Sequence, residues 1–194
     1  CLSGIEAIAA GVRLIESGEA EIVVAFGQES MSLAPHAWVG SRAGKKYGSV
    51  TMVDTLEFDG LTDAFELRSM GASTEDYIAP LGVTRQEQDS LAAASHINAA
   101  ASAGFLAGEI APFELHSRGG VAVVALDDGV RPETSIDTLG ALRPAFDKAG
   151  TITAGNSSQL TDGAAAVVLM SEEVALSQGI TPLARVISHA LVSG

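Results

Sequence analysis

Cysteine is nearly absent from this sequence: 194 residues contain one, and it is residue 1, in the opening run CLSGIEAIAAGVRLIESG. A single cysteine excludes an internal disulfide framework and points to a reducing, cytoplasmic setting. Aromatic residues are scarce at 5%, with one Trp, which argues against a surface for stacking nucleic-acid bases. Cations are few as well, 11 Lys and Arg against 24 Asp and Glu, for a formal net charge of −13. Wrapping a nucleic acid or an anionic membrane needs clustered Lys and Arg, so neither partner is expected. No apolar run approaches the roughly 20 residues of a membrane span. The strongest, AAAVVLM at 164–170, is too short. A basic leader followed by an apolar core is missing, so no secretory signal is expected. An initiator Met is missing too, and the chain stops at SHALVSG after an apolar run, so it is read as an excerpt of a longer protein.

What the chain does have is core. Hydrophobic residues make up 47% and charged residues 18%, and the mean hydropathy is +0.29, a composition that folds. Ile5, Ile8, Val12 and Ile15 recur at three-and-four spacing, which predicts an amphipathic helix over 4–17, punctuated by Gly18. EIVVAFG, 21–27, reads as a buried strand of a sheet covered on both faces. Helix followed by buried strand is the rhythm of an α/β fold. From Ser30 to Val83 the pattern weakens into short irregular pieces around the basic, glycine-rich loop SRAGKKYGSV. Thr84 with Glu87 predicts a capping box opening a helix over 84–104, with Leu91, Ala94, Ala101 and Phe105 on its apolar side. EIAPFELH and GGVAVVALDDG read as an antiparallel pair of strands. AAAVVLMSEEVALSQG reads as strand then helix, and ARVISHALV, 184–192, as the start of another strand. The α/β core is thus interrupted by an insertion from about 31 to 146.

Two places could carry chemistry. Cys1 would stand at a helix N-terminus, where free N–H groups and the positive end of the macrodipole favour thiolate; the alternative is a small buried hydrophobe. The loop TAGNSSQLTDGAAA offers backbone and hydroxyl groups to a polar ligand before a buried strand, the place where α/β folds bind ligands. Its alternative is an ordinary capping loop. Arg131, Arg143 and Lys148 fall within a short span and could gather around a small anion. His36, His96, His116 and His189 are scattered, with no metal-ligand spacing between them, so no metal site is expected.

Taken together the segments CLSGIEAIA, AFGQESMSLAPH, TMVDTLEFDGLTDAF, MGAST, RQEQDSLAAASH, GEIAPFEL, TLGALRPAFDKAGTITAGNSSQLTDGAAAVVLMSEE and GITPLARVIS resemble the thiolase family, acetyl-CoA acetyltransferases in particular. They run in order over essentially the whole chain. The resemblance implies a partial thiolase-like layered α-β-α core with an inserted α+β loop domain. Residues 1–30 and 147–180 would belong to the N-terminal core, 31–146 to the CoA-covering insertion, and 181–194 to the start of a truncated C-terminal domain. It also implies an acyl-CoA C-acyltransferase with no permanently bound cofactor and coenzyme A thioesters as substrates. Cys1 aligns with the nucleophile that takes up the acyl group. Arg131 and Thr138 match positions near the nucleotide end of CoA. Leu61, Met70, Leu142 and Phe146 match the pantetheine and adenine path, and Ala154, Gly155 and Ser158 the loop against the pantetheine arm. A homo-oligomer, dimer or tetramer, is implied, with SRAGKKYGSV in the region of bacterial tetramer contacts. Ser69 and Thr161 depart from the His and Asn common at those positions. The family's glycine-rich His motif and its second, Cys-Gly-Gly motif are not in this sequence, so the fragment alone is expected to be inactive.

Three rivals stand beside this reading. An N-terminal nucleophile hydrolase would want layered antiparallel sheet directly after Cys1, where a helix is predicted. A condensing enzyme of the ketoacyl-synthase type shares the nucleophile-on-helix arrangement but fits the TAGNSSQLTDGAA loop less well. A non-catalytic thiolase-like subunit that binds CoA is the third.

Overall fold

In the computed structural model, which describes residues 2–192, the three-and-four spacing of the opening segment forms helix α1, Ser3–Glu16. Gly18 follows it at φ +76, the left-handed region that glycine enters without a Cβ penalty. The further elements in chain order are β1 (Ile22–Ser30), β2 (His36–Ala37), β3 (Val53–Asp54), α2 (Met70–Ile78), α3 (Arg85–Ala101), α4 (Ala103–Leu106), β4 (Phe113–Ser117), β5 (Gly120–Val124), α5 (Ile136–Gly140), β6 (Asp162–Met170) and α6 (Glu172–Ser177). Helices and strands mix as the α/β expectation has it. They divide into two units, Cys1–Ala34 with Leu160–Gly194, and Pro35–Gln159.

In the first unit β1 and β6 pair antiparallel, from Ile22↔Met170 to Ser30↔Asp162. Helix α1 lies on the face that carries Val23, Ala25 and Leu169. At Gly11 the helix comes so close that a Cβ would sit 2.7 Å from Leu169 Cδ1 and 3.1 Å from Val23 Cγ1. The strand expected to be covered on both faces is covered on one. Ala25 is buried, while Val24 and Phe26 on the opposite face are 60% and 63% exposed. The reason is topological: an antiparallel pair can bury one face under a helix and leave the other open, whereas a parallel sheet is sandwiched. The strand expected over 184–192 is not formed, and the segment runs without regular structure through residue 192. An apolar run of this kind becomes a strand only when a ladder partner satisfies its N–H and C=O groups, and none pairs with it among the described residues.

Asp162, at the head of β6, accepts hydrogen bonds from the Ser32 hydroxyl and from the Ser32 backbone N–H at 2.9 Å. These bonds, the hydroxyl's first, hold its carboxyl below the usual 3.8. A depressed carboxyl contributes stability that is fully present above its unfolded value and is lost as the pH falls through the lower folded value. Asp162→Asn is therefore expected to flatten the acid limb of stability, read by denaturant unfolding at roughly pH 2 to 6, and to leave the dependence near neutrality unchanged.

The second unit is built from short pieces. β2 and β3 pair over two positions, His36↔Asp54 and Ala37↔Val53, and β4 and β5 form the antiparallel hairpin expected for their segments. The capping box of α3 is complete: Thr84 accepts from the Glu87 N–H at 3.2 Å, and the Glu87 carboxylate accepts from the Thr84 N–H at 2.8 Å. The face of α3 that packs inward differs from the expected one. Leu91 is 74% exposed, and Asp89 and Ala93 are buried instead. A polar network draws that side of the helix in, and it bears directly on the loop described next.

Candidate functional site

Of the two places singled out by the sequence, Cys1 lies outside the described residues. The helix that follows it is described. Leu2 stands at the N-cap of α1 and provides no side-chain acceptor there, at the end of the helix whose first-turn N–H groups and dipole favour an anion. The start of α1 is pressed against β1, where a Cβ on Gly27 would lie 3.2 Å from Gly4 Cα. A Cβ on Gly4 would lie 4.0 Å from Gly27 Cα, an ordinary contact, so it is at 27 that the close approach favours glycine.

The loop of 151–158 is held from within and from two helices of its own unit. Within it, Asn156 Oδ1 accepts from the Thr153 N–H at 2.7 Å, and Asn156 Nδ2 donates to the Thr151 carbonyl at 3.1 Å. The Ser157 hydroxyl donates to the Thr153 carbonyl. From α2, Glu75 accepts from the N–H groups of Thr151 and Ile152. From α3, Asp89 accepts from Asn156 Nδ2 at 2.9 Å, and Gln88 donates to Thr151 Oγ1 at 2.9 Å. Thr153, at the centre, is fully buried, and Ile152 beside it is buried. Ala154 and Ser158 face outward, so the loop presents a fixed outer edge of backbone and hydroxyl groups.

Several of the residues expected to line a ligand path are brought together around this loop. The Met70 N–H donates to the Leu61 carbonyl at 2.8 Å, and the Ala145 N–H to the Ile152 carbonyl, also at 2.8 Å, which ties 145–146 to the loop. The Phe146 ring lies on Gly71, where a Cβ would overlap it, and Gly155 packs on Leu139 and Leu142, where a Cβ would sit 2.5 and 2.6 Å from their methyl carbons. Leu61, Met70, Leu142, Phe146, Ala154 and Gly155 therefore form one chain of neighbours. Thr138 completes a capping box with Ser135 at the start of α5, accepting from the Ser135 N–H at 3.0 Å. Arg131 is exposed, and its backbone N–H donates to His96 Nδ1 at 3.2 Å. That bond gives His96 a structural role in seating the segment that carries the arginine. Ser69, the departure noted in the sequence, is the N-cap of α2 and accepts from the Ala72 N–H at 3.3 Å.

The residues that hold the loop were not singled out by the sequence. Arg85 and Asp89 stand at i,i+4 spacing on α3, a pairing signal that was readable. Their ion pair closes at 2.7 Å, and Arg85 donates further to the Leu139 and Leu142 carbonyls. The Leu139 carbonyl is in the last turn of α5, where a cation is a favourable helix-end contact. Glu75 carried no such signal, because its partners lie 76 and 77 positions away in the chain. Among the described residues no group of His, Cys, Asp and Glu could hold a metal ion, and no helix is long and apolar enough to cross a membrane.

Residues 1–173 match the family described as Thiolase, N-terminal domain. The chain is 48% identical over 197 aligned residues to a probable acetyl-CoA acetyltransferase of Mycobacterium leprae, covering 100% of this chain and 50% of that protein. It is 47% identical to an acetyl-CoA acetyltransferase of Rhizobium meliloti, covering 98% of this chain and 49% of the relative. Among solved structures it is similar to human mitochondrial 3-ketoacyl-CoA thiolase, with a TM-score of 0.80 and 36% identity over 94% of this chain and 47% of that one. It is similar also to the Bacillus anthracis acetyl-CoA acetyltransferase, with a TM-score of 0.83 and 35% identity over the same shares, 94% and 47%. The chain spans about half the length of the curated relatives it matches.

Proposed function

Because the chain belongs to the thiolase family, through its N-terminal domain, we propose that the protein it is part of is an acyl-CoA C-acyltransferase. The observation that carries this reading is the ordered match over residues 1–173 to that domain. In this reading Cys1 is the nucleophile. Its thiolate adds to the carbonyl carbon of an acyl-CoA, and the CoA sulfur leaves and is protonated to CoA-SH, so that the acyl group stays on Cys1 as a thioester. A second acyl-CoA loses a proton from the carbon beside its carbonyl, and that carbon attacks the acyl-enzyme carbonyl. A carbon–carbon bond forms, the Cys1–acyl bond breaks, and a 3-ketoacyl-CoA departs; thiolysis is the reverse. A thiol whose thiolate is favoured by a helix N-terminus is suited to both attack and departure. The proton transfers would be made by groups in the part of the protein outside this chain.

The substrate would lie along Leu61, Met70, Leu142 and Phe146 with its pantetheine arm on the edge formed by Ala154, Gly155 and Ser158, and with Arg131 and Thr138 toward the nucleotide. The insertion of 31–146 would cover it. A few local cations are enough to hold one anionic ligand on a protein of negative charge. A cytoplasmic homo-oligomer completes the reading.

The test is turnover by the full-length protein. Incubation with acetyl-CoA is expected to release CoA-SH and to add one acetyl group to the peptide bearing Cys1, detected by mass spectrometry. CoA binding with no release and no adduct would replace the enzyme by a binding subunit. Ser158→Ala removes one hydrogen-bonding hydroxyl from the loop edge. Its expected effect is a rise in KM for acyl-CoA of about 2- to 10-fold, the scale of one hydrogen bond, with a smaller change in kcat.

A further inference from the structure

We propose that Glu75 is a positioning residue that holds the loop of 151–158 in the shape that binds the acyl-CoA. The inference rests on the acyltransferase reading and names a residue outside the set expected to touch the substrate. One carboxylate engages two consecutive amides and a hydroxyl. Glu75 Oε1 accepts from Thr151 N at 2.8 Å and Ile152 N at 2.7 Å, while Oε2 lies 3.0 Å from Thr151 N and 3.1 Å from Thr151 Oγ1. An ionised acceptor makes shorter and stronger bonds than a neutral one, so these contacts outweigh ordinary loop hydrogen bonds.

A second observation is independent of the bonds. The carboxylate is seated against Gly150, and a Cβ there would overlap Glu75 Oε1. The space at residue 150 is thus matched to the carboxylate. The anchor also joins the two halves of the expected ligand path. Glu75 is one helical turn beyond Gly71 on α2, the residue on which Phe146 lies. From there the carboxylate reaches the start of the loop whose outer edge is Ala154, Gly155 and Ser158. Asn156 and Asp89 hold the far end. Loss of Glu75 therefore frees the near end, and with it the register of the edge relative to Phe146 and Met70.

The experiment compares Glu75→Ala, Glu75→Gln and Gly150→Ala in the full-length protein, with Asp76→Asn as the control one residue along the helix. KM for acetyl-CoA, kcat and hydrogen exchange at the Thr151 and Ile152 amides are measured. Glu75→Ala and Gly150→Ala are expected to raise KM about tenfold, the scale of losing charge-assisted hydrogen bonds, with kcat within about threefold and faster exchange at both amides. Glu75→Gln keeps one oxygen able to accept from both amides but lacks the charge and the second acceptor, and is expected to recover part of the affinity. Gly150→Ala keeps the carboxylate itself, so the proposal stays testable should Glu75→Ala fail to fold. Unchanged KM in both Glu75→Ala and Gly150→Ala, or losses in which KM and kcat follow the folded fraction and Glu75→Gln rescues nothing, would overturn it. Absence of turnover by the unaltered protein would overturn the acyltransferase reading instead, and the exchange rates would still show whether Glu75 holds the loop.

Discussion

If the proposed acyltransferase reading holds, Cys1→Ala in the full-length protein is expected to abolish acylation, with no acetyl adduct on the peptide bearing this position and turnover down by roughly a thousandfold or more, as for other covalent nucleophiles. The size of the effect follows from the chemistry. In that reading, thioester exchange through the protein would split a difficult carbon–carbon bond formation into two steps that share one sulfur. Without that sulfur the acyl group would have nowhere to wait, and the second acyl-CoA would have no acyl-enzyme carbonyl to attack. In the same reading CoA binding is expected to survive, because the loop of 151–158 proposed to hold it and the loop's anchors, all within Pro35–Gln159, are left unaltered. Calorimetric titration with CoA separates the two effects. An acetyl adduct retained by the Cys1→Ala protein would end the assignment of the nucleophile.

Asp89→Ala is expected to be the most destabilising single change among the residues described, at about 3 kcal/mol, the lower part of the range for breaking a buried ion pair. Asp89 is 2% exposed and takes Arg85 Nε at 2.7 Å and Asn156 Nδ2 at 2.9 Å. Removing it leaves a guanidinium and an amide without their acceptor. Arg85 retains the Leu139 and Leu142 carbonyls and partial contact with water, which is why the lower part of the range applies. Denaturant unfolding of the full-length protein measures the cost. Replacing Arg85 and Asp89 together by leucines is expected to recover much of it, since no charge is then left alone. A single variant as stable as the unaltered protein would show that the pair and Asn156 do not secure the loop.

Local signals in the chain carried a good part of this structure. The spacing of Ile5, Ile8, Val12 and Ile15 predicts α1, and the structure places it at Ser3–Glu16. Thr84 and Glu87 predict the start of α3, and the hairpin of β4 and β5 follows from two apolar runs and a glycine pair. Each of these depends on residues within a few positions of one another, so spacing suffices. The ordered motifs were enough for the thiolase family as well, because they extend over the whole chain.

Other features depend on what meets in space. One face of β1 is open and Leu91 is exposed, although both segments read as core, since apolarity along a strand or helix does not say which neighbour arrives. The segment of 184–192 is apolar and extended in pattern, yet a strand requires a partner for its backbone. The candidate loop shows the division most clearly. TITAGNSS advertises hydrogen-bonding groups in its own letters, and so reads equally as a ligand edge or a cap. Its outward edge is set by Glu75, Asp89 and Gln88, which donate or accept across 63 to 77 positions of chain. A carboxylate's partners at such separations leave no periodic trace in a sequence, because folding alone brings them within hydrogen-bonding reach.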